Sequence, residues 1–339
     1  LHLSLRRQRQ MCIRDSIHCY DPEDRLGTAG QLVYDLGCIL DARQRKFDVI
    51  LQLGYTSSAI WYGLHPRAVP VLTNMDGLEW KRSKYGPWAR RFLRWSEARA
   101  AQHSQALIAD SLAIQSYLRE TYGKPSTYIP YSAVVRDDLS SEAVHTILNS
   151  YGLTSGAYHL LIARMEPDNH IHTILEGHQA ASEASTSTLP LILVGKPANR
   201  YAQELQAKYP DVICSKQTHR RWLGGVYDQK VVEILRQNAA WYFHGHSVGG
   251  TNPSLLEAMA SGCRIIAHDN PFNRAVTGED AFYFRNSEEV RNHLLAKTNL
   301  SETQVANNRR KITDHYTPHG IARAYQTLLE TWSQPKTKR

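Results

Sequence analysis

The sequence is poor in the features that mark several protein classes. Its five cysteines, Cys12, Cys19, Cys38, Cys214 and Cys263, are odd in number, scattered and never spaced C-x-x-C. That pattern argues against a disulfide framework and a zinc site, and fits a reducing cytosol. No run of about 20 apolar residues occurs, so no transmembrane helix is expected. Acidic residues are in deficit, 32 against 40 Lys and Arg, for a formal charge of +8. The excess points to an anionic partner, whether nucleotide, nucleic acid or acidic membrane surface, without choosing among them. The first residues, "LHLSLRRQRQMCIRDS", are basic but lack a following apolar segment, so they do not form a secretory signal. Residues 1–25 are set aside as a non-native or disordered lead.

What remains is ordinary globular material. With 339 residues, 42% of them hydrophobic and 21% charged, the chain can build two cores. Short apolar runs alternate with helical stretches. "FDVILQLG", "VPVLTNMDG", "QALIADS" and "PSTYIPYS" read as strands running into loops, with "KYGPWARRFLRWSEARAAQH" and "LAIQSYLRETYG" as helices between them. After a variable region near Asp137 to Gly156 the alternation resumes in "YHLLIARMEPDN", "LPLILVGKP", "DVICSK", "AAWYFHGHS", "CRIIAHDN" and "AFYFRN". Strands separated by helices of this length imply parallel sheets built from right-handed βαβ units, hence an α/β protein of two doubly wound domains. Ligands of such sheets bind beyond the carboxyl ends of the strands, so the site belongs in the cleft between the domains.

One of these loops is unusual. In "HGHSVGGTNPSLLEAMASG" two glycines follow a buried strand, and Thr-Asn-Pro opens a helix that stops at Gly262. A strand-to-helix turn of this kind leaves helix N–H groups unpaired, with the positive end of the helix dipole behind them, and a phosphate is its natural guest.

The succession "IARMEPDNHIHTILEG", "LILVGKP" and "GGTNPSLLEAMASGCRIIAHDNPFNR" resembles the C-terminal domain of GT-B glycosyltransferases of the retaining family-4 type. The upstream "NMDGLEWKRSKYGPWARRFLRWSEARAAQHSQALIADS" is similar to one branch, bacterial rhamnosyltransferases that build capsule, O-antigen and cell-wall polysaccharides. The resemblance covers residues 26–333. It implies an N-terminal acceptor-side Rossmann-like domain over 26–145 and a nucleotide-sugar-binding Rossmann-like domain over 146–335, with the site between them. It also implies that the N-terminal domain is incomplete, because the segment before Leu26 is too short for the family's first strands. The activity implied is transfer of a sugar, rhamnose by this likeness, from a nucleoside diphosphate to a saccharide acceptor, free or lipid-linked, with retention. Such an enzyme is cytoplasmic or peripheral on the inner face of the membrane, and no metal or other cofactor is expected.

Site residues follow from the same likeness. Glu257 takes the position that binds the ribose hydroxyls. The family's partner acid, separated from it by seven residues, falls at Gly249, so contacts to the donor are assigned to the backbone of Gly249, Gly250, Thr251 and Asn252. Arg164 faces the diphosphate. The family's lysine five residues on is replaced by Asn169, which makes Lys196 the substitute cation. Asp76, Glu79 and Asp110 are the acceptor-side acids. For Asp76 and Glu79 a turn and a helix cap are the competing reading, and for Asp110 an N-cap. Lys81, Arg82, Arg90, Arg91 and Arg94 lie on a basic stretch with Trp88, Phe92 and Trp95 at spacings of four and three. That segment fits an anionic bilayer or a lipid-linked diphosphate, and equally a helix whose aromatic stripe packs in the core. His244 and His246 lack a third ligand at metal spacing and are read as core or loop residues.

Three other functions compete. An NAD-dependent oxidoreductase needs G-x-G-x-x-G after a first strand, and none is present. A nucleic-acid-binding protein accounts for the charge but lacks a recognised module, so no nucleic acid is expected. A nucleotide-binding fragment without transferase activity is the third.

Overall fold

A computed structural model describes residues 17–136, 139–210, 220–296 and 301–333. β1 (Ile50–Leu53), β2 (Val71–Asn74), β3 (Ala106–Ala109) and β4 (Ser126–Tyr128) form a parallel sheet in sequence order. β5 (His159–Ile162), β6 (Leu191–Val194), β7 (Arg220–Trp222), β8 (Trp241–His244), β9 (Ile265–His268) and β10 (Phe282–Phe284) form a second parallel sheet in the order β10-β9-β8-β5-β6-β7. The expected α/β architecture of two Rossmann-like parallel sheets is therefore present, with the strand order of the first sequential and only the second, among the described residues, doubly wound. In the second sheet the order reverses between β5 and β8, which makes the gap beyond their carboxyl ends the natural ligand crevice.

The strands read as continuous apolar runs because both faces of each sheet are covered. Successive residues alternate between two cores: Leu160, Ile192, Tyr242 and Ile265 pack on one side of the second sheet, and Leu161, Leu193, Phe243 and Ile266 on the other. In the first sheet Leu107 and Ala109 face one layer, Leu72 and Ile108 the other.

The structure departs from the sequence reading in several places. The variable region contains a helix, Ser141–Ser150, capped by Ser140, whose side chain accepts from the Ala143 N–H at 3.3 Å. Its Val144, Ile147 and Leu148 pack on the second sheet. The strand expected in "DVICSK" lies outside the described residues, and the edge of the sheet is the three-residue β7 in "HRRWLGG". Of the lead, residues 1–16 lie outside the described residues, while a short helix begins at Glu23. The last helix, Pro318–Ser333, crosses back to the first sheet. Its Leu328 packs with Leu72, Ile108 and Ile129, beside Ile321, Tyr325 and Trp332. A sequence cut at residue 146 assigns this helix to the second domain, since nothing local marks which sheet its apolar stripe will cover.

The helix Pro87–His103 turns Leu93, Ser96, Glu97, Ala100 and Ala101 inward. The aromatic stripe is therefore not core: Trp88, Phe92 and Trp95 are exposed. On the buried side the Glu97 carboxylate sits in a cage of four donors. Its Oε2 accepts from Tyr55 Oη and Trp80 Nε1, both at 3.1 Å, and its Oε1 from Tyr117 at 2.6 Å and Tyr122 at 2.7 Å. A charge this deep is tolerated because every face of it is hydrogen-bonded.

Candidate functional site

The Gly-rich turn follows β8 at the switch point. Gly249 has φ 135°, a conformation closed to ordinary side chains. Asn252 ends the turn as N-cap, its Oδ1 accepting from the Ser254 N–H at 2.9 Å, and Pro253 supplies the first position of the helix Pro253–Ala260. The local sequence thus does what Gly-Gly-Thr-Asn-Pro dictates: it turns sharply and opens a helix beyond the carboxyl end of β8.

This turn meets the first domain. Thr251 Oγ1 donates to the Asp110 carbonyl at 2.5 Å. Thr251 is buried, so its hydroxyl joins the domains and the turn's remaining polarity comes from its backbone. Asp110, at the end of β3, presses its carboxylate against Gly250, where a Cβ would lie 1.8 Å from Oδ1 and 2.0 Å from Oδ2. The helix after β3 is capped by Ser111, whose Oγ accepts from the Ile114 N–H at 3.2 Å, so Asp110 is not a cap. Burial, with the neighbouring Asp76 carboxylate, pushes the Asp110 carboxyl up to about 7 against the pull of the Asp110 and Thr251 N–H groups. Neither carboxylate oxygen has a partner of full hydrogen-bond geometry.

Asp76, exposed at the end of β2, accepts from Tyr131 Oη at 3.3 Å. Glu79 does not join it. Its Oε1 lies 2.7 Å from Arg82 Nε, at the start of the short helix Glu79–Lys81. The acid that partners Asp76 is Asp110, brought from a separate strand.

The loop after β5 supplies the second wall. Arg164 is half exposed, with Nη1 3.5 Å from Glu166 Oε1. Glu166 also meets Arg82 at 3.6 Å and Lys84 at 3.9 Å, so one carboxylate collects cations from both domains. Asp168 adds a second bridge, both its oxygens accepting from the Ser83 N–H at 3.1 Å. Asn169 is buried and donates from Nδ2 to the Arg164 carbonyl at 2.7 Å, which braces the arginine's backbone. Lys196 stands exposed at the end of β6, one strand farther from the switch point.

Glu257 lies a turn into the helix. Its Oε2 accepts from Arg236 Nη2 at 2.6 Å, and the side chain is 47% exposed while the arginine is buried. Burial works against the Arg236 charge, yet Tyr242, Glu257 and Cys263 together hold it above its ordinary range. The carboxylate is thereby oriented through Oε2.

His246, just before the turn, is kept neutral. Burial, then Arg164, Arg82 and His170, lower it to about 3. His244 is driven well below its usual range by burial first and His246 next. Among the described residues no group of three or more His, Cys, Asp or Glu is arranged to hold a metal ion. Of the basic stretch, Arg82 is drawn into the ion pairs, and Arg90 Nη2 braces the carbonyls of Arg82 and Ser83 at 3.3 and 3.4 Å. Lys81 and Arg94 lie over the Trp80 ring at 5.4 and 5.1 Å, and Arg91 is exposed.

Sequence reasoning missed Glu166, Asp168, Ser83 and Arg236. The first two were visible in the "ARMEPDN" loop as acids beside a chosen arginine; Arg236, 21 residues before Glu257, carried no signal.

Comparison with known proteins bears on the fold. Residues 62–134 match a family model described as a domain of unknown function, DUF1972. No curated protein matches the sequence. Anabaena HepE, solved with UDP and glucose, superposes with a TM-score of 0.73 at 15% identity, over 99% of this chain and 89% of that one. A glycosyltransferase from Rickettsia africae gives 0.66 at 13% identity, over 99% and 88%. TarM, of S. aureus, gives 0.66 at 11% over 87% of this chain, which spans only 58% of TarM's length. At these identities the likeness is one of fold, and the fold is GT-B: two Rossmann-like parallel sheets facing each other across a cleft.

Proposed function

We propose that this chain is a glycosyltransferase that moves a sugar from a nucleoside diphosphate to the hydroxyl of a saccharide acceptor. The observation that carries the reading is topological: Arg164 follows β5 and the Gly249–Asn252 turn follows β8, the two strands at the switch point, and the Arg236-oriented Glu257 lies a turn into the helix that this turn opens. These are an anion seat, a cation and an acceptor for sugar hydroxyls, which is what a nucleoside diphosphate presents. The GT-B fold supports it: HepE is described in complex with UDP-glucose, and pneumococcal GtfA with UDP and GlcNAc.

In this mechanism the bond between the anomeric carbon and the diphosphate oxygen breaks as the acceptor oxygen bonds that carbon, through an oxocarbenium-like transition state. Negative charge grows on the departing phosphate. The turn's N–H groups and the Arg164 guanidinium, fixed in advance, stabilise that charge more than they stabilise the substrate. The acceptor's proton passes to the departing phosphate. Glu257 Oε1 accepts from the ribose hydroxyls. Asp76 accepts from the incoming hydroxyl, and Asp110, its carboxyl pushed up to about 7, holds the cleft beside it. Retention, rhamnose as the sugar on a thymidine carrier, a lipid-linked acceptor and a role in cell-surface polysaccharide synthesis at the cytoplasmic face are the finer terms of the same proposal. Retention rests on the likeness of "IARMEPDN" and "GGTNPSLLEAMASG" to the retaining family-4 type, and the sugar, acceptor and pathway on that of the upstream "NMDGLEWKRSKYGPWARRFLRWSEARAAQHSQALIADS".

The test is incubation of the chain with UDP- and dTDP-sugars and a saccharide acceptor, reading nucleoside diphosphate release by chromatography and the new linkage by NMR. Release that depends on acceptor, with the donor's anomeric configuration kept, is expected. Absence of release from every donor would overturn the proposal.

A further inference from the structure

The exposed face of the helix Pro87–His103 has no role in the cleft. Trp88 is 84% exposed, Trp95 45% and Phe92 36%, and they recur at helical spacing on one side. Large aromatics gathered on one outer face are unusual on a soluble surface. Around them stand Lys81, Lys84, Arg90, Arg91 and Arg94, all exposed, and no acid occurs between Lys81 and Ser96. The opposite face is fixed rigidly by Leu93, Ala100 and the caged Glu97, so the outer face is presented as a firm platform.

We infer that this face docks on an anionic lipid bilayer, lying in the interfacial plane with Trp88, Phe92 and Trp95 immersed and the cations at headgroup level. Tryptophan favours that depth, and lysine and arginine stems reach up to the phosphates from it. The charge selects the partner. A second copy of this chain would bring the same five cations against these five, and a nucleic-acid duplex offers phosphates but no apolar layer in which to bury three rings. The platform begins beside the cleft: Ser83, whose N–H donates to Asp168 across the domains, is five residues before Trp88. Docking therefore sets the cleft mouth at the membrane surface. The inference stands on this surface alone, so its failure would leave the transfer proposal intact.

The test is co-sedimentation of the full chain with phosphatidylcholine vesicles, with and without phosphatidylglycerol. Binding is expected only to the anionic vesicles and should weaken with salt. The pair Arg91→Glu and Arg94→Glu should lower it at least about fivefold per cation lost. The pair Trp88→Ala and Trp95→Ala should abolish most of it, and Trp88→Ala alone, at a ring 84% exposed, should weaken it while leaving the thermal melt unchanged. Equal binding to neutral vesicles, or wild-type binding by the tryptophan pair, would overturn the inference. So would displacement from vesicles by a single-stranded oligonucleotide, or a dimer in place of vesicle binding that the tryptophan pair abolishes.

Discussion

The Asp110 carboxylate occupies the space that a side chain on Gly250 would need. This contact joins the carboxyl end of β3 in the first domain to the anion-ready turn of the second. It means that the turn proposed to seat the donor and the acid proposed to lie beside the acceptor are held by one steric fit.

Gly250→Ala is therefore expected to destabilise the protein by about 1–3 kcal/mol, the usual cost of overpacking. Asp110→Gly in the same chain should recover much of that loss. Urea unfolding of the two single variants and the double variant measures the coupling. Strict additivity would mean that the two residues do not meet.

Asp110 also gives the fold a pH dependence. Its folded value, about 7, lies above the ordinary 3.8. Between those values the native state keeps a proton that the unfolded chain has released, so stability falls as pH rises through the window, and the full cost is present above 7. Asp110→Asn removes this slope. The variant should gain on the wild type by an amount on the order of a few kcal/mol between pH 4 and pH 8. Parallel stability curves over that range would count against a buried, raised carboxyl.

Glu97→Gln probes the platform from beneath. The amide keeps one acceptor oxygen and turns an NH2 toward groups that are themselves donors, leaving some of Tyr55, Trp80, Tyr117 and Tyr122 unpaired. A loss of roughly 2–4 kcal/mol in denaturant unfolding is expected. A neutral result would show that water serves these donors instead.

Much of the fold was legible because both-sided burial writes itself into the sequence as apolar runs. "LPLILVG" and "CRIIAHD" hold buried strands over 191–194 and 265–268. The turn was equally plain, since two glycines before Asn-Pro permit little else. The pairing of loops across the cleft was not legible. Thr251 and Asp110 lie 141 positions apart, Ser83 and Asp168 85, and no local pattern records such a meeting. The same reason hides Arg236 behind Glu257 and returns the helix Pro318–Ser333 to the first sheet. The aromatic stripe at 88, 92 and 95 was visible, but spacing alone gives a face and not what it faces; Glu97, apparently an ordinary charged residue, marks the buried side.

The most direct test of the account is calorimetric titration of the chain with the diphosphates of thymidine, uridine, guanosine and adenosine, repeated with Glu257→Gln. The account predicts saturable binding selective for one base, weakened by about tenfold or more in the variant, the worth of one charge-assisted hydrogen bond. No binding of any of the four to the folded wild type, or equal binding by the variant, would contradict it.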